Sequence, residues 1–299
     1  RPVLQSFAQG RLWFLEQLHP GLDWYLMHLA VRIEGPLQLP ALQAALHAIE
    51  HRHETLRTTF STNNGESLQE VHPFSGGREL NVINVGSNND KILLEALERD
   101  QKTPFNLRYE PGWRISVYRI NEVSHVLSIV MHHIVSDGWS VDVLKKELSA
   151  LYASAIRNED PIFCLPPLPI QYRDFSVWQR LPEQAQEHRG QLDYWINQLD
   201  GSRPAEFLYD KPRPTTLSGK AGTQRLNISH QLYNRLQIFA RQRGMTPFVV
   251  LLAVFRATHY RLTNQDDATI AVPNANRSRP EVGDLIGFFV NIQCIRMKI

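Results

Sequence analysis

The chain has 299 residues, 42% of them hydrophobic and 21% charged, which is typical of a folded globular protein and excludes a disordered or fibrous chain. Because single cores usually stop growing at about 250–300 residues, two lobes are expected. The 32 basic and 30 acidic residues nearly balance and form no dense basic run, which argues against nucleic acid as a partner.

The cysteine count and the apolar stretches indicate in which cellular environment the protein is expected. Cys164 and Cys294 lie far apart without a CxxC partner, so neither a disulfide framework nor a structural zinc site is indicated, and a reducing, cytoplasmic location is expected. The most apolar helical stretch, PFVVLLAVF, is about half the ~20 residues that cross a bilayer, so no membrane partner is expected. Neither end of the chain has the pattern of a terminus, which predicts a segment of a longer protein.

The first part of the chain alternates predicted strands and helices. Hydrophobic periodicity predicts strands at 28–34, 67–72, 80–85, 113–120 and 124–133, and helices at 41–51, 91–101 and after Gly138. The short polar break between 120 and 124 predicts that the strands on either side form a hairpin.

A proline-rich segment at 160–172 discourages helix and central strand, and we expect the boundary between lobes near residue 175. The predicted lobes are therefore 1–175 and 176–299. Beyond the boundary, QLDYWINQL, HQLYNRLQIFARQ and TPFVVLLAVFRATHYRL predict helices, whereas ATIAV and FFVNIQCIRMKI predict strands. The whole pattern indicates a mixed α/β fold whose sheets are not purely parallel.

The decapeptide MHHIVSDGWS, residues 131–140, joins a predicted strand to a predicted helix. Successive side chains of a strand point to opposite faces, so only one of the two histidines can face a given cleft. A metal site would need further His or Asp ligands that are not nearby. Two interpretations then remain: a polar turn in which Asp137 caps the helix, and a reaction centre.

In the catalytic interpretation, one imidazole acts as general base and the Gly138 amide faces developing negative charge. The sequence has no GxSxG motif, so the substrate would bring the nucleophile. This chemistry is acyl transfer without a covalent enzyme intermediate.

Several segments now carry a resemblance, since SFAQGRLWFLEQL, RHETLRTTF, MHHIVSDGWS, YRDFSVWQ and IGFFVNIQ occur in that order between residues 6 and 293. Together they resemble the successive motifs of condensation domains of nonribosomal peptide synthetases. The resemblance implies a chloramphenicol acetyltransferase-like pair of lobes in a V shape around a tunnel. By the same resemblance the second lobe is truncated here, and the fragment alone is expected to be inactive if the missing part is essential.

The implied reaction joins a donor acyl thioester to the amine of an acceptor aminoacyl thioester. Both substrates arrive on the 4'-phosphopantetheine arms of donor and acceptor peptidyl carrier proteins, and the domain itself binds no cofactor. A neighbouring adenylation domain of the same synthetase is a further implied partner. The HHxxxDG form favours plain amide formation over epimerisation or heterocyclisation.

Site residues are transferred from the resemblance position by position. The second motif histidine is His133, with His132 and Gly138 as the other catalytic candidates. The motif aspartate, Asp137, is expected in a structural salt bridge with Arg277, and Arg57 is the alternative. The remaining candidates are assigned to the substrate tunnel: Gln9, Arg11, Trp139, Ser140 and Asn291.

Two alternative functions stay open. A free-standing acyltransferase that uses a CoA thioester shares a shorter HxxxDG signature, although RHETLRTTF and YRDFSVWQ argue against it. A degenerate domain that only recruits a partner protein is the other, and the intact His133, Asp137 and Gly138 argue against that.

Overall fold

The computed structural model describes residues 2–21, 23–86, 90–212, 214–215 and 222–299. The chain forms two compact units. The first comprises the residues up to His188 together with Asn274–Asn291, and the second comprises Arg189–Pro273 together with Ile292–Ile299. The first unit therefore contains a segment that returns to it from far along the chain.

Mixed strand pairing confirms the predicted α/β class. The strands of the first unit are β1 (Val3–Leu4), β2 (Leu26–Glu34), β3 (Thr58–Asn63), β4 (Glu66–Val71), β5 (Asn81–Asn84), β6 (Trp113–Asn121) and β7 (Ser124–His132). They form a three-stranded sheet of order β1-β4-β3 and a four-stranded sheet of order β2-β7-β6-β5. Only β5 and β6 pair in parallel within these two sheets, as far as the described residues show.

Helices cover the four-stranded sheet. In chain order the α-helices of this unit are α1 (Phe7–Leu18), α2 (Leu39–Arg52), α3 (Asp90–Lys102), α4 (Gly138–Ile156) and α5 (Tyr172–Trp178), and α6 (Pro182–Leu199) runs from the first unit into the second. Pro40 lies in the first turn of α2, where a missing N–H costs nothing. Ser6 caps α1 by accepting a hydrogen bond from the Gln9 amide.

Strand β7 lies at the centre of this unit. It pairs antiparallel with β2 on one side and β6 on the other, which confirms the predicted hairpin, and all nine of its residues are buried. Ser128 donates to Asp100 of α3 at 2.8 Å, so the even-numbered side chains face α3. The odd-numbered Leu127 and Ile129 face α4 on the other side.

The second unit contains two further helices and a two-stranded sheet. Its elements are α7 (His230–Gln242), α8 (Pro247–Thr263), β8 (Asp267–Asn274) and β9 (Asn291–Lys298), the last two beginning or ending at the boundary with the first unit. Among the described residues no single helix has the length and apolarity to cross a bilayer, and α7 with α8, bent by 101°, qualifies only as a pair and on length and composition alone. Arg296 binds Asp267 across the sheet at 2.9 Å.

The predicted boundary near residue 175 falls inside α5, which belongs wholly to the first unit. Tyr172 and Phe175 of this helix pack with Val282, Leu285 and Phe289 in one buried cluster. The proline-rich segment therefore precedes a helix that packs within the first compact unit, and the assignment of a lobe boundary near residue 175 stays a prediction.

Candidate functional site

The site lies where β7 turns into α4. The strand ends at His132, a single 3₁₀ turn covers His133–Val135, and Asp137 caps α4. Backbone carbonyls from other segments hold this turn in place: the His132 N–H donates to Gly112 O at 2.7 Å, and the His133 N–H donates to Tyr25 O at 2.8 Å. Local packing thus fixes both histidines at the end of a fully buried strand.

The two histidines carry their proton on different ring nitrogens. His133 Nδ1 lies 3.1 Å from Ser136 O, and because a carbonyl can only accept, Nδ1 carries the proton and Nε2 keeps a lone pair. The His133 ring is half-buried. Burial lowers its pKa, and the neighbouring His132 acts in the same direction, whereas the Ser136 carbonyl and Asp137 oppose the shift. His133 therefore presents a neutral, basic nitrogen at neutral pH.

His132 has no such nitrogen to offer. Its Nδ1 accepts from the Ile134 N–H at 3.0 Å, so its Nε2 carries the proton. The ring is 2% exposed, and Nε2 has no hydrogen-bond partner among the described residues, with Glu16 Oε2 3.7 Å away. The His132 ring is therefore enclosed and supports the turn, and its assignment as a catalytic residue stays a prediction.

Asp137 is fully buried and saturated with donors. Its Oδ1 accepts from the Ser140 N–H at 2.8 Å and from Arg277 Nη2 at 3.1 Å, and its Oδ2 accepts from the Phe289 N–H at 3.0 Å. The Arg277 side chain is 1% exposed. The predicted ion pair with Arg277 is thus observed across 140 positions of sequence.

Arg57, the alternative partner, lies elsewhere. Its guanidinium donates to His72 O at 2.6 Å and to Glu50 O at 3.3 Å, and it lies 3.8 Å from Glu54. Arg57 therefore holds the start of β3 and does not contact Asp137.

Residues 286–289 are fixed by four side chains that come from three separate motifs. The Gly287 N–H donates to Ser140 Oγ at 3.0 Å, and the Ile286 N–H donates to His53 Nδ1 at 3.4 Å. Tyr172 Oη donates to Phe288 O, and Asp137 binds the Phe289 N–H. This arrangement sets the Phe288 ring beside His133, with centroids 5.6 Å apart.

His53 and Phe288 were missed as site residues, although both lie in recognised motifs. His53 is 1% exposed, and its Nε2 lies 2.7 Å from Glu147 of α4. Burial lowers the pKa of His53, although the Glu147 carboxylate opposes this. A Cβ added to Gly287 would lie 2.0 Å from the Tyr172 ring, so the close packing of this segment requires a glycine there.

Two of the tunnel candidates, Gln9 and Ser140, have fully buried side chains. Gln9 Oε1 accepts from the Ser6 N–H, and its Nε2 donates to Ile134 O at 3.2 Å, so Gln9 braces the histidine turn from α1. The Ser140 hydroxyl lies within 2.9 Å of both Asp137 Oδ1 and Gly287 O, so it belongs to the Asp137 network. Both side chains support the site from within, and their assignment to a substrate tunnel stays a prediction.

The other three tunnel candidates lie at the surface of the first unit. Arg11 Nη2 lies 3.4 Å from Asn291 Oδ1, and both residues are exposed. Trp139 is 50% exposed and donates from Nε1 to Gly283 O at 2.8 Å. Their assignment to a substrate tunnel stays a prediction.

Gly138 is the first residue of α4, and its N–H has no acceptor within the helix by geometry. A Cβ added to Gly138 would meet no atom within 4 Å. There is accordingly open space beside an amide that points out of a helix N-terminus. Among the described residues no cluster of His, Cys, Asp or Glu has the geometry to hold a metal ion.

The comparisons with known proteins establish the family of the chain. The condensation domain family model matches residues 2–299, and the chain belongs to that family. Condensation domains of nonribosomal peptide synthetases form peptide bonds between carrier-bound substrates.

Curated relatives and solved structures are similar over the whole chain. The chain is 96% identical to the nonribosomal peptide synthetase TES of Alternaria alternata and spans 6% of that protein's length. It is 58% identical to the nonribosomal peptide synthetase dtxS1 of Metarhizium robertsii and spans 4% of that protein's length. The X-domain in complex with OxyB from teicoplanin biosynthesis has a TM-score of 0.86 at 26% identity, and the chain covers 65% of it. The first condensation domain of the CDA synthetase has a TM-score of 0.78 at 20% identity, with 70% covered, and shows the fold alone.

Proposed function

We propose that this chain catalyses amide formation between a donor acyl thioester and the amine of an acceptor aminoacyl thioester. The observation that carries the proposal is the tautomer of His133, whose Nδ1 is committed to Ser136 O and whose Nε2 is left as an acceptor. A nitrogen of this kind, in the turn that leads to Gly138 and the open space beside it, suits the reaction of an amine with a carbonyl.

The reaction balances without a cofactor of the domain's own. The acceptor nitrogen bonds to the donor carbonyl carbon, the carbon–sulfur bond breaks, and the proton lost by the amine ends on the released thiol. His133 Nε2 accepts or orients the N–H proton, and the Gly138 N–H donates to the carbonyl oxygen as negative charge develops. An α-ammonium has a pKa of about 7.7–8.0, so the free amine is accessible near neutrality.

Asp137 and Arg277 have a supporting role in this proposal. Both are buried, so neither reaches substrate, and together they join the start of α4 to residues 286–289. Most of the acceleration would come from holding amine and thioester together, worth up to about 7–11 kcal/mol in well-oriented systems.

The partners follow from the same proposal. Donor and acceptor peptidyl carrier domains present the two thioesters on 4'-phosphopantetheine arms, and an adenylation domain of the same synthetase loads one of them. The assignment of 1–175 and 176–299 to acetyltransferase-like lobes in a V around a tunnel, and a cytoplasmic location, are parts of this proposal too. The chain spans only a few per cent of its curated relatives, so the partners belong to the protein that carries it.

The test uses the intact protein with a labelled donor on one carrier domain and an acceptor on the other. Transfer of label to the acceptor carrier as a dipeptidyl thioester is the expected result. Amide formed only from a free CoA thioester would instead support a free-standing acyltransferase. Binding of a second protein without any amide would support a recruiting domain, an alternative motivated by the X-domain that was solved in complex with OxyB.

A further inference from the structure

An apolar groove starts beside Gly138 and runs along the inner face of α4. Its floor is the face of the sheet that carries the odd-numbered residues of β2 and β7, which the antiparallel register aligns as the pairs Met27 with Met131 and Leu29 with Ile129. Its wall is the side of α4 that carries Leu144 and Leu148. The first unit alone supplies every one of these residues.

Two adjoining cavities make up the groove. The first, of about 240 Å³, is lined by Met27, Met131 and Gly138 among others, and the second, of about 360 Å³, extends from it to Tyr152. Both are lined by the same four residues where they meet: Leu29, Ile129, Leu144 and Lys145. At a rise of about 1.5 Å per residue, the helix from Gly138 to Tyr152 gives the groove a length of roughly 20 Å.

We propose that this groove binds the apolar side chain or acyl chain carried by the donor thioester. The inference rests on the proposed function, because Gly138 is the residue assigned to the donor carbonyl. The carbon that bears the donor side chain is bonded directly to that carbonyl, and Gly138 lines the first cavity, so the side chain leaves the reacting centre next to the groove entrance. The acceptor reaches the centre through its amine, on the side of His133 Nε2.

The chemistry of the lining selects the class of donor. Floor and wall are mostly aliphatic, and the two charged residues that line the groove, Asp142 at the first cavity and Lys145 where the cavities meet, pair with each other at 3.2 Å. A leucyl, phenylalanyl or fatty acyl donor would bury apolar surface there, whereas a charged side chain would lose its hydration without a partner in the groove. A glycyl donor gains nothing from the groove and serves as the reference substrate.

The experiment fills the groove and compares donors. Leu29→Trp places bulk where the two cavities meet, and Ala30→Trp places the same bulk on the opposite face of the same strand as the matched control. The intact protein is tested with its donor carrier domain loaded with glycyl, leucyl or phenylalanyl groups and its acceptor held constant. A parallel series varies the acceptor and keeps a glycyl donor.

Wild type should use the leucyl donor about tenfold or more faster than the glycyl donor. Leu29→Trp should lower the leucyl and phenylalanyl rates about tenfold and leave the glycyl rate within about threefold, whereas Ala30→Trp should change none of them. If Leu29→Trp does not fold, Val31→Trp replaces it, because Val31 lines the farther cavity and is 39% exposed. That variant should select against phenylalanyl and longer acyl donors only.

Three results would overturn the inference. Equal losses for all donors would make Leu29 a structural residue, and unchanged rates for all donors in both variants would mean that the groove is not a donor site. A loss that follows the acceptor side chain would assign the groove to the other substrate. Absence of amide from every donor with wild type would instead refute the proposed function, so the two failures are distinguishable.

Discussion

Replacing Asp137 with alanine should destabilise the first unit far more than an ordinary surface substitution. Asp137 is completely buried and binds the buried guanidinium of Arg277, so its removal leaves a positive charge enclosed without a counter-ion. Breaking a buried pair in this way typically costs about 3–5 kcal/mol. The lost helix cap at Ser140 adds to this, at about 1 kcal/mol.

The loss is not a simple sum, because Arg277 keeps other acceptors. Its Nη1 donates to Val282 O at 2.6 Å and to Leu285 O at 2.7 Å, and its guanidinium lies 4.2 Å from the centroid of the Phe289 ring. We therefore expect a total decrease of about 4 kcal/mol in the free energy of unfolding, which is a large part of the 5–15 kcal/mol of a typical domain. Activity should fall with stability, because the Phe289 N–H also loses its acceptor.

The assay is urea denaturation followed by tryptophan fluorescence, with Asp142→Ala as the control. Asp142 lies one residue beyond the first turn of the same helix, but its side chain is 80% exposed and its ion pair with Lys145 is solvated, so its removal should not measurably change stability. Asp137→Asn keeps the cap oxygen and should fall between the two. A decrease below about 1 kcal/mol for Asp137→Ala would refute the argument that this carboxylate neutralises a buried charge.

The remaining predictions concern two glycines and one buried histidine. Gly138→Ala should preserve the melting temperature and lower amide formation at least tenfold, because its Cβ meets no protein atom but occupies the space assigned to the thioester. Gly287→Ala should lower the melting temperature, because its Cβ would lie 2.0 Å from the Tyr172 ring. If Gly138→Ala retains full activity, the assignment of that space is wrong. Burial lowers the pKa of His53 below its ordinary value of about 6.5, so between that value and the folded pKa the unfolded chain binds more protons than the folded protein. As the pH falls through this window, His53 should lower the free energy of unfolding by at most about 1.4 kcal/mol per pH unit. His53→Gln should flatten this dependence in pH-resolved denaturation, and an unchanged slope would contradict the assignment.

Local patterns predicted the elements around the site well. The hairpin of β6 and β7 and the helix after Gly138 were predicted because apolar periodicity and a short polar break are properties of neighbouring residues. Strand β3 was missed because Thr58–Asn63 contains a single large apolar residue, Phe60, and its pairing with β4 supplies the rest. The short helix Tyr172–Trp178 was missed because the proline-rich segment before it was interpreted as a crossing.

The site residues likewise differ in how far the sequence predicted them. Asp137 and Arg277 were paired correctly from the resemblance, although nothing in the local pattern joins positions 140 residues apart. Gln9 and Ser140 were assigned to a tunnel because both are polar and lie in motifs, and their burial depends on packing against Ile134 and Gly287. Which nitrogen of each histidine is protonated likewise depends on backbone groups that only the folded turn brings into place.

The return of Asn274–Asn291 to the first unit was the feature least accessible from sequence. This segment supplies the backbone that binds Asp137 and the ring that lies beside His133. Its residues before Phe288 were assigned to no predicted helix or strand, and Phe288 and Phe289 were only the start of a predicted strand. Its position is determined by side chains such as His53 and Tyr172 from distant parts of the chain. Long-range hydrogen bonds of this kind leave no periodic signal.

The most direct test of the central claim is the single-turnover rate of amide formation by His133→Ala in the intact protein, with both carrier domains loaded. If His133 Nε2 accepts or orients the amine proton, the rate should fall at least about 100-fold while the melting temperature stays at the wild-type value. A rate within tenfold of wild type would contradict the claim, because about 1.4 kcal/mol is too small for the group at the reacting centre.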